Sequence, residues 1–250
     1  MDLSIIIPAF NENKKITNDI QAVEKFLIEN RISGEIIIVD DGSTDETSQT
    51  ARKVITSEVV VTKVIRNEDH RGKGFAVRSG IVSSSGNYVM FADSGNCIPF
   101  EFALTGLQWL KDDICDIAHG SRKLPESRVA KPWVWYRKIY SIVFRRILIL
   151  FLKIPQWLSD TQCGFKLYRG DVARQLFKEC KSNGFMFDVE IILRAIQSEF
   201  RIKEFNVQWT SDADSRLSLL KNAFPILLEL LSIKRMARRR FMQDGEGKSY

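Results

Sequence analysis

Short apolar runs alternate with amphipathic stretches through the N-terminal part of the chain. Ser4-Ile5-Ile6-Ile7-Pro8 and Glu35–Asp40 are runs of branched residues that stop at Pro or at Asp-Gly, the pattern of strands buried on both faces. Val59–Ile65 and Tyr88–Ala92 repeat it. Between these runs, Lys14–Glu29, Asp45–Ile55 and Gly74–Ser84 read as helices, the second with Ser43 or Thr44 available as its cap. Strand alternating with helix predicts an α/β fold built on a doubly wound, mostly parallel sheet. In such sheets ligands bind outside the carboxyl ends of the strands. Those ends present Pro8–Glu12, Asp40–Ser43, Arg66–Lys73 and Asp93–Asn96, so polar and acidic residues gather at one edge.

Beyond Arg122 the pattern is less regular and helices dominate. Ile139–Leu152 is apolar but carries Arg145 and Arg146; Leu217–Ile233 carries Lys221, Pro225 and Glu229. No uninterrupted apolar run reaches the ~20 residues a spanning helix requires, so both segments are expected as amphipathic or interfacial helices. Packing on the core explains the first equally well. The basic cluster Lys234–Arg240 directs the second toward an anionic surface, although pairing with another copy of the chain stays open. Trp133, Trp135 and Trp157 flank the first segment, at the depth aromatic residues favour in a membrane, and core packing accounts as well for any one of them.

Composition narrows the class. Of 250 residues, 44% are hydrophobic and 27% charged, which suits a globular chain with a loose polar tail over Asp244–Tyr250. The net charge of +6 fits a polyanionic partner: nucleic acid, an anionic membrane or a phosphorylated substrate. Four cysteines form no CxxC pair and no histidine stands at ligand spacing, so neither zinc nor a disulfide framework is expected, and a reducing compartment fits. No basic, then apolar leader is read at the N-terminus.

Strand one is not followed by GxGxxG and no GxxxxGK[ST] occurs, which disfavours dinucleotide and P-loop sites. Carboxylates stand there instead: Asp40 and Asp41 after strand two, Asp93 after strand four. Such groups can accept hydrogen bonds from a ribose or base, or hold a hard divalent cation. They also argue against nucleic acid as the partner, because they repel phosphates unless a cation intervenes. Any one of them alone is ordinary turn chemistry.

Pro8-Ala9-Phe10-Asn11-Glu12, Val39–Asp45, His70-Arg71-Gly72-Lys73-Gly74 and Phe91-Ala92-Asp93 together resemble family 2 glycosyltransferases of the GT-A fold. Gly120-Ser121-Arg122, Asp160–Lys166 and Phe187–Glu190 are similar to the branch containing dolichyl-phosphate glucosyltransferases and dolichol-phosphate mannose synthases. The resemblance covers about residues 2–220. It implies a GT-A domain over 1–216, with a nucleotide-sugar half (1–121) and an acceptor half (122–216), followed by a basic amphipathic membrane-surface segment and tail (217–250). It implies inverting transfer of a sugar, with UDP-glucose the expected donor, to a polyprenyl phosphate, by an enzyme lying on the cytoplasmic face of a membrane.

The resemblance also assigns residues. Pro8, Ala9, Glu12 and Asp40 would meet the base and ribose, with Asp41 and Lys73 in the same donor group. Mg²⁺ or Mn²⁺ would be held near Asp93, with Gln162 beside it and the sugar. Arg122, Arg137 and Ser141 match positions that hold the acceptor phosphate, and the spacing of Arg137 and Ser141 puts both on one helical face. Arg216, in Ser215-Arg216-Leu217, would reach the diphosphate. A phosphate monoester is mostly ionised at neutral pH, its second pKa lying near 6. Such an acceptor needs cations more than a general base, and Arg122, Lys123, Arg128, Lys131, Arg137 and Lys138 supply them. His119, just before Gly120, is read as a packed histidine. One departure stands out: the family's DxD reads Asp93-Ser94-Gly95, leaving Asn96, Gln162 and the diphosphate to complete the metal's ligands. Two alternatives follow: transfer to a saccharide hydroxyl, and a sugar-nucleotide-binding protein without turnover.

Overall fold

The computed structural model describes residues 1–54, 60–130, 135–210 and 225–237, the side chains of 135–140 excepted. Ile55 and Val59, the ends proposed for a helix and a strand, lie outside these, as do Lys131, Trp133, Ser215–Leu217, Lys221, Arg238–Arg240 and the tail.

Four parallel strands come from the N-terminal half: β1 (Leu3–Ala9), β2 (Gly34–Asp40), β3 (Val61–Arg66) and β4 (Tyr88–Ala92). They stand in the order β3-β2-β1-β4. Both faces of β1 and β2 are covered, which is why their sequences read as continuous apolar runs rather than alternating ones. Ile5, Ile7, Ile36 and Ile38 pack beneath α1 (Ile16–Glu29), α2 (Thr47–Val54) and α4 (Ala103–Lys111). Ile6, Ile37 and Val39 face α3 (Lys73–Val82) and the later helices α6 (Gly170–Glu179) and α7 (Phe187–Gln197). The result is three layers with the sheet in the middle.

The C-terminal half completes the same sheet. After β5 (Ile117–Ser121), strand β7 (Phe165–Arg169) inserts between β4 and β5, antiparallel to both, and β8 (Ile202–Asn206) pairs with β5 in parallel at the far edge. Residues on either side of Arg122 therefore share one sheet. A two-stranded parallel ribbon of β6 (Arg128–Val129) and β9 (Gln208–Trp209) stands beside it.

Helix α5 (Trp135–Leu152) spans the expected segment and starts earlier than Ile139. It packs with α7 and with residues 225–237, helical and called α8 here, through Leu148, Leu152, Val189, Ile192, Ile226, Leu230 and Ile233. Among the described residues no helix is long and apolar enough to cross a membrane. Helix α2 begins at Thr47, later than Asp45, which stays in the preceding turn: its Oδ1 accepts the Thr47 N–H at 3.0 Å and hydroxyl at 2.5 Å. Ser43 and Thr44 bind Asn11 instead.

Candidate active site

Strand β1 leads through α1 to β2 on one side, while β4 lies on its other side. Their carboxyl ends diverge at this switch point, the place where doubly wound sheets bind ligands. A cavity of about 530 Å³ opens there, within the range of small-molecule sites.

Its near wall is built by the ends of β1 and β2. Asn11 takes a positive φ of 52°, and its side chain accepts the Thr44 N–H while its own N–H donates to Ser43. The Glu12 N–H donates to Thr47. These bonds fix Pro8, Ala9, Phe10 and Glu12 along the wall. Asp40 is buried behind it: Oδ1 accepts the Ser43 N–H at 2.9 Å, and Oδ2 has no hydrogen-bond partner among the described residues. Asp41 lines the cavity and organises the loop after β3, accepting from Asn67 and from the N–H groups of Arg71 and Gly72. That loop carries His70, whose ring stacks on Phe10 with centroids 3.9 Å apart.

The floor is ionic. Lys73, at the start of α3, meets Asp93 at 2.5 Å. Burial disfavours the Lys73 ammonium, but Asp93 and Asp188 outweigh it and hold the lysine above its usual range. Asp188 pairs in turn with Lys166, a fully buried lysine that also donates to the Thr161 carbonyl. Burial pushes the Asp188 carboxyl up. Asp93 rests on Gly164, whose carbonyl accepts the Asp93 N–H at 2.9 Å; a β-carbon on Gly164 would fall 2.1 Å from Asp93 Oδ2. Gly95, where the second DxD carboxylate would stand, has a φ of 91°, a conformation that strains residues with a β-carbon. Its N–H donates to Asp19 of α1, whose carboxyl burial pushes up to about 6.

On the opposite side Arg122 grips Asp160 through two parallel bonds, 2.7 Å from Nε and 2.9 Å from Nη2. Burial opposes both charges, yet the pairing keeps Asp160 ionised well below the usual carboxylate range and Arg122 well above its own. Gln162 donates its amide to the Phe185 carbonyl at 3.2 Å.

Of the residues singled out from the sequence, Pro8, Ala9, Glu12, Asp41, Lys73, Asp93, Arg122 and Gln162 line this one cavity. Asp40 sits just behind it. Ser141, half-buried in α5, is not among the lining residues; the Arg137 side chain and Arg216 lie outside the described residues. His119 is fully buried, with burial lowering its pKa well below the ordinary range, and does not reach the cavity. Asp188, Gly164 and Phe185 escaped the sequence reading as site residues. Asp188 and Gly164 stood inside quoted motifs, but their contacts with Lys73 and Asp93 cross long stretches of chain.

A family model for glycosyl transferase family 2 matches residues 4–177. The chain belongs to this family. It is 30% identical to a dolichyl-phosphate beta-glucosyltransferase of Saccharomyces cerevisiae over 93% of this chain and 74% of that one. The Drosophila melanogaster protein of the same name is 34% identical, over 87% and 70%. Among solved structures, Mycobacterium tuberculosis glucosyl-3-phosphoglycerate synthase, crystallised with Mn²⁺, UDP-glucose and phosphoglyceric acid, superimposes with a TM-score of 0.69 at 18% identity, over 93% of this chain and 79% of that one. That likeness establishes the GT-A fold.

The glycosyltransferase's donor set bears on a metal. Among the described residues no three acidic, histidine or cysteine side chains gather as a cage. Mg²⁺, however, is commonly held by one or two carboxylates plus substrate phosphates. Asp93 fits that arrangement, because its Oδ1 is buried against Lys73 and it faces a cavity that also holds the Gln162 amide.

Proposed function

We propose that the enzyme transfers glucose from UDP-glucose to a polyprenyl phosphate with inversion, while lying on a membrane surface. The observation that carries the reading is the cavity at the switch point, with the Lys73–Asp93 pair on its floor and Arg122 locked by Asp160 across from it. The names of the 30–34% identical relatives support the sugar and the acceptor.

In this reading the nucleoside lies along Pro8, Ala9 and Glu12, over Asp40 and Asp41, and the diphosphate lies toward Lys73. Asp93, with Gln162, would hold Mg²⁺ or Mn²⁺ jointly with the diphosphate. The cation neutralises charge on the leaving nucleotide when bound. Lys73 adds a second positive charge on the same side. The acceptor's phosphate oxygen forms a bond to the sugar's anomeric carbon as the bond to the diphosphate breaks, and the nucleoside diphosphate departs with the electron pair. The phosphate oxygen is already an anion at neutral pH, so no carboxylate need take a proton. What the step needs is a fixed cation, and Arg122 is fixed by its two bonds. Arg137, Ser141 and Arg216 keep the roles the family resemblance gives them.

The surface reading rests on α5 and α8. Ile142, Val143, Ile147 and Leu150 are exposed on α5, and Leu227, Leu228 and Leu231 on α8. Arg146, Lys153 and Arg235 stand exposed among them. Glu229, the one acidic residue in either helix, is turned inward. Exposed apolar residues and exposed cations on the same two packed helices fit an anionic lipid surface.

The test is turnover with Mn²⁺ or Mg²⁺, a short polyprenyl phosphate, and in turn UDP-glucose, GDP-mannose and other donors, read by mass spectrometry. A glucolipid is the expected product. Donor hydrolysis with no glycolipid would redirect the acceptor to saccharide hydroxyls. Donor binding without any turnover would leave a binding protein.

A further inference from the structure

Helix α8 packs its apolar face on α5 and α7, and its one carboxylate reaches farther. Glu229 accepts the N–H of Gly184 at 2.8 Å through Oε1 and that of Met186 at 3.2 Å through Oε2. A β-carbon on Gly184 would lie 2.8 Å from either carboxylate oxygen, so this approach requires glycine. The segment so gripped is a wall of the cavity, lined by Gly184 and Phe185. Its other contacts lead to the chemistry. The carbonyls of Gly184 and Asn183 accept the N–H groups of Gly74 and Phe75, at the start of the helix that carries Lys73. The Phe185 carbonyl holds the Gln162 amide. One carboxylate in the last described helix thus sits one peptide away from two residues of the sugar-diphosphate end.

We propose that Glu229 is a positioning residue, which holds residues 183–186 from α8 and through them sets Gln162 and Lys73 for the donor's sugar and diphosphate. The assignment of that end of the cavity rests on the function proposed above. The nucleoside end, at Pro8, Ala9 and Glu12, is built by β1, α2 and the loop after β2, none of which touches Glu229 in these bonds. Loss of Glu229 therefore acts on one end of the donor and spares the other.

The experiment uses full-length Glu229→Ala and Glu229→Gln proteins. Affinities for uridine and for UDP-glucose are measured by calorimetry with Mn²⁺, amide exchange is followed over residues 182–187, and turnover is assayed with a short polyprenyl phosphate. In Glu229→Ala, uridine affinity is expected to stay within about twofold while UDP-glucose binding weakens at least about fivefold and kcat falls about tenfold or more, the scale of effects from displaced supporting groups. Exchange at 183–186 rises, and that of β1 and β2 does not. Glu229→Gln falls between, because its amide oxygen still accepts one N–H, and it decides the matter if the alanine variant does not fold. Equal losses for uridine and UDP-glucose would reduce Glu229 to a structural residue and overturn the proposal, as would unchanged exchange at 183–186. Wild-type protein that binds both ligands but glycosylates no lipid phosphate sinks the acceptor reading alone; the UDP-glucose to uridine ratio still judges Glu229.

Discussion

Gly164 lacks a side chain at the place where Asp93 lays its carboxylate. A β-carbon there would come within 2.1–2.3 Å of three Asp93 atoms, while the Asp93 N–H is bonded to the same residue's carbonyl. The carboxylate must give way, since β7 begins one residue later. Gly164→Ala is expected to remain folded and to lose transfer as Asp93→Asn does, by about 100-fold or more, as several kcal/mol of charge stabilisation implies. Steady-state kinetics beside a melting curve checks it, and full turnover in the alanine variant would mean that Asp93 works from elsewhere. Arg122 calls for a subtler change. Removing it strands Asp160, 2% exposed, as an unpaired buried charge at a cost of about 3–5 kcal/mol. Arg122→Lys keeps the charge and loses the two-pronged grip. The expected outcome is a folded protein whose acceptor KM rises about tenfold, or 1.4 kcal/mol, with UDP affinity unchanged; a matching loss of UDP affinity would place Arg122 on the donor. The residues that carry charge at strand ends were legible in the sequence because charge there has few other uses. Gly164 was not, since its role is an absence that matters only once Asp93 lies across it.

At the scale of elements, the first four strands were legible because burial on both faces leaves an unbroken apolar signature. Strand β7 was not. It is read at residues quoted for their chemistry, and nothing local says that Phe165–Arg169 will insert antiparallel between β4 and β5; pairing across such distances is a property of the closed sheet. The start of α2 was misplaced because Asn11, more than thirty residues away, claims the two candidate caps. One polar cluster lies at the opposite, amino end of the sheet. Glu35, fully buried at the start of β2, accepts from Ser4, from Ser85 and from Lys63 at 2.7 Å. Burial alone would raise its pKa, but Lys63 and the serine bonds outweigh it and hold the carboxyl at about 2. A depressed carboxyl contributes stability that is complete above the unfolded value near 4.5 and is lost as the pH falls toward 2. Glu35→Gln should therefore destabilise the protein by about 2–3 kcal/mol at pH 7, discounted because Lys63 is half exposed. The gap from wild type should narrow below pH 4.5, as urea unfolding at pH 7 and pH 3.5 would show, with kcat at pH 7 unchanged. A gap independent of pH would trace the loss to packing rather than charge.

On the scale of the whole molecule, the cavity and the exposed apolar faces of α5 and α8 belong to one body, joined through the packed cluster of α5, α7 and α8. Lys234 lies over the Phe151 ring at 3.5 Å, so the basic end of α8 is itself pinned to α5. An acceptor with a phosphate head and an apolar tail has to present both to such a body at once, and the tail cannot leave its bilayer without losing roughly 0.8 kcal/mol per CH₂. In the function proposed above, a surface that docks on lipid would solve this by bringing the cavity to the headgroups. Two contributions act together: apolar burial, indifferent to salt, and about 1 kcal/mol for each Lys or Arg near an anionic leaflet, which salt screens. Leu150 isolates the first. It is 81% exposed, so Leu150→Glu should leave folding stability within about 0.5 kcal/mol. Co-sedimentation with phosphatidylserine-containing vesicles is expected to fall at least about tenfold in this variant, the 1.4 kcal/mol or more that a buried leucine contributes. Wild-type binding should weaken when the salt is raised and should drop on neutral vesicles. Light scattering of the same samples separates the competing use of this face. If wild-type protein ignores anionic vesicles yet forms a dimer that Leu150→Glu dissociates, the apolar face meets a second copy of the chain, and the lipid acceptor must reach the cavity by another route.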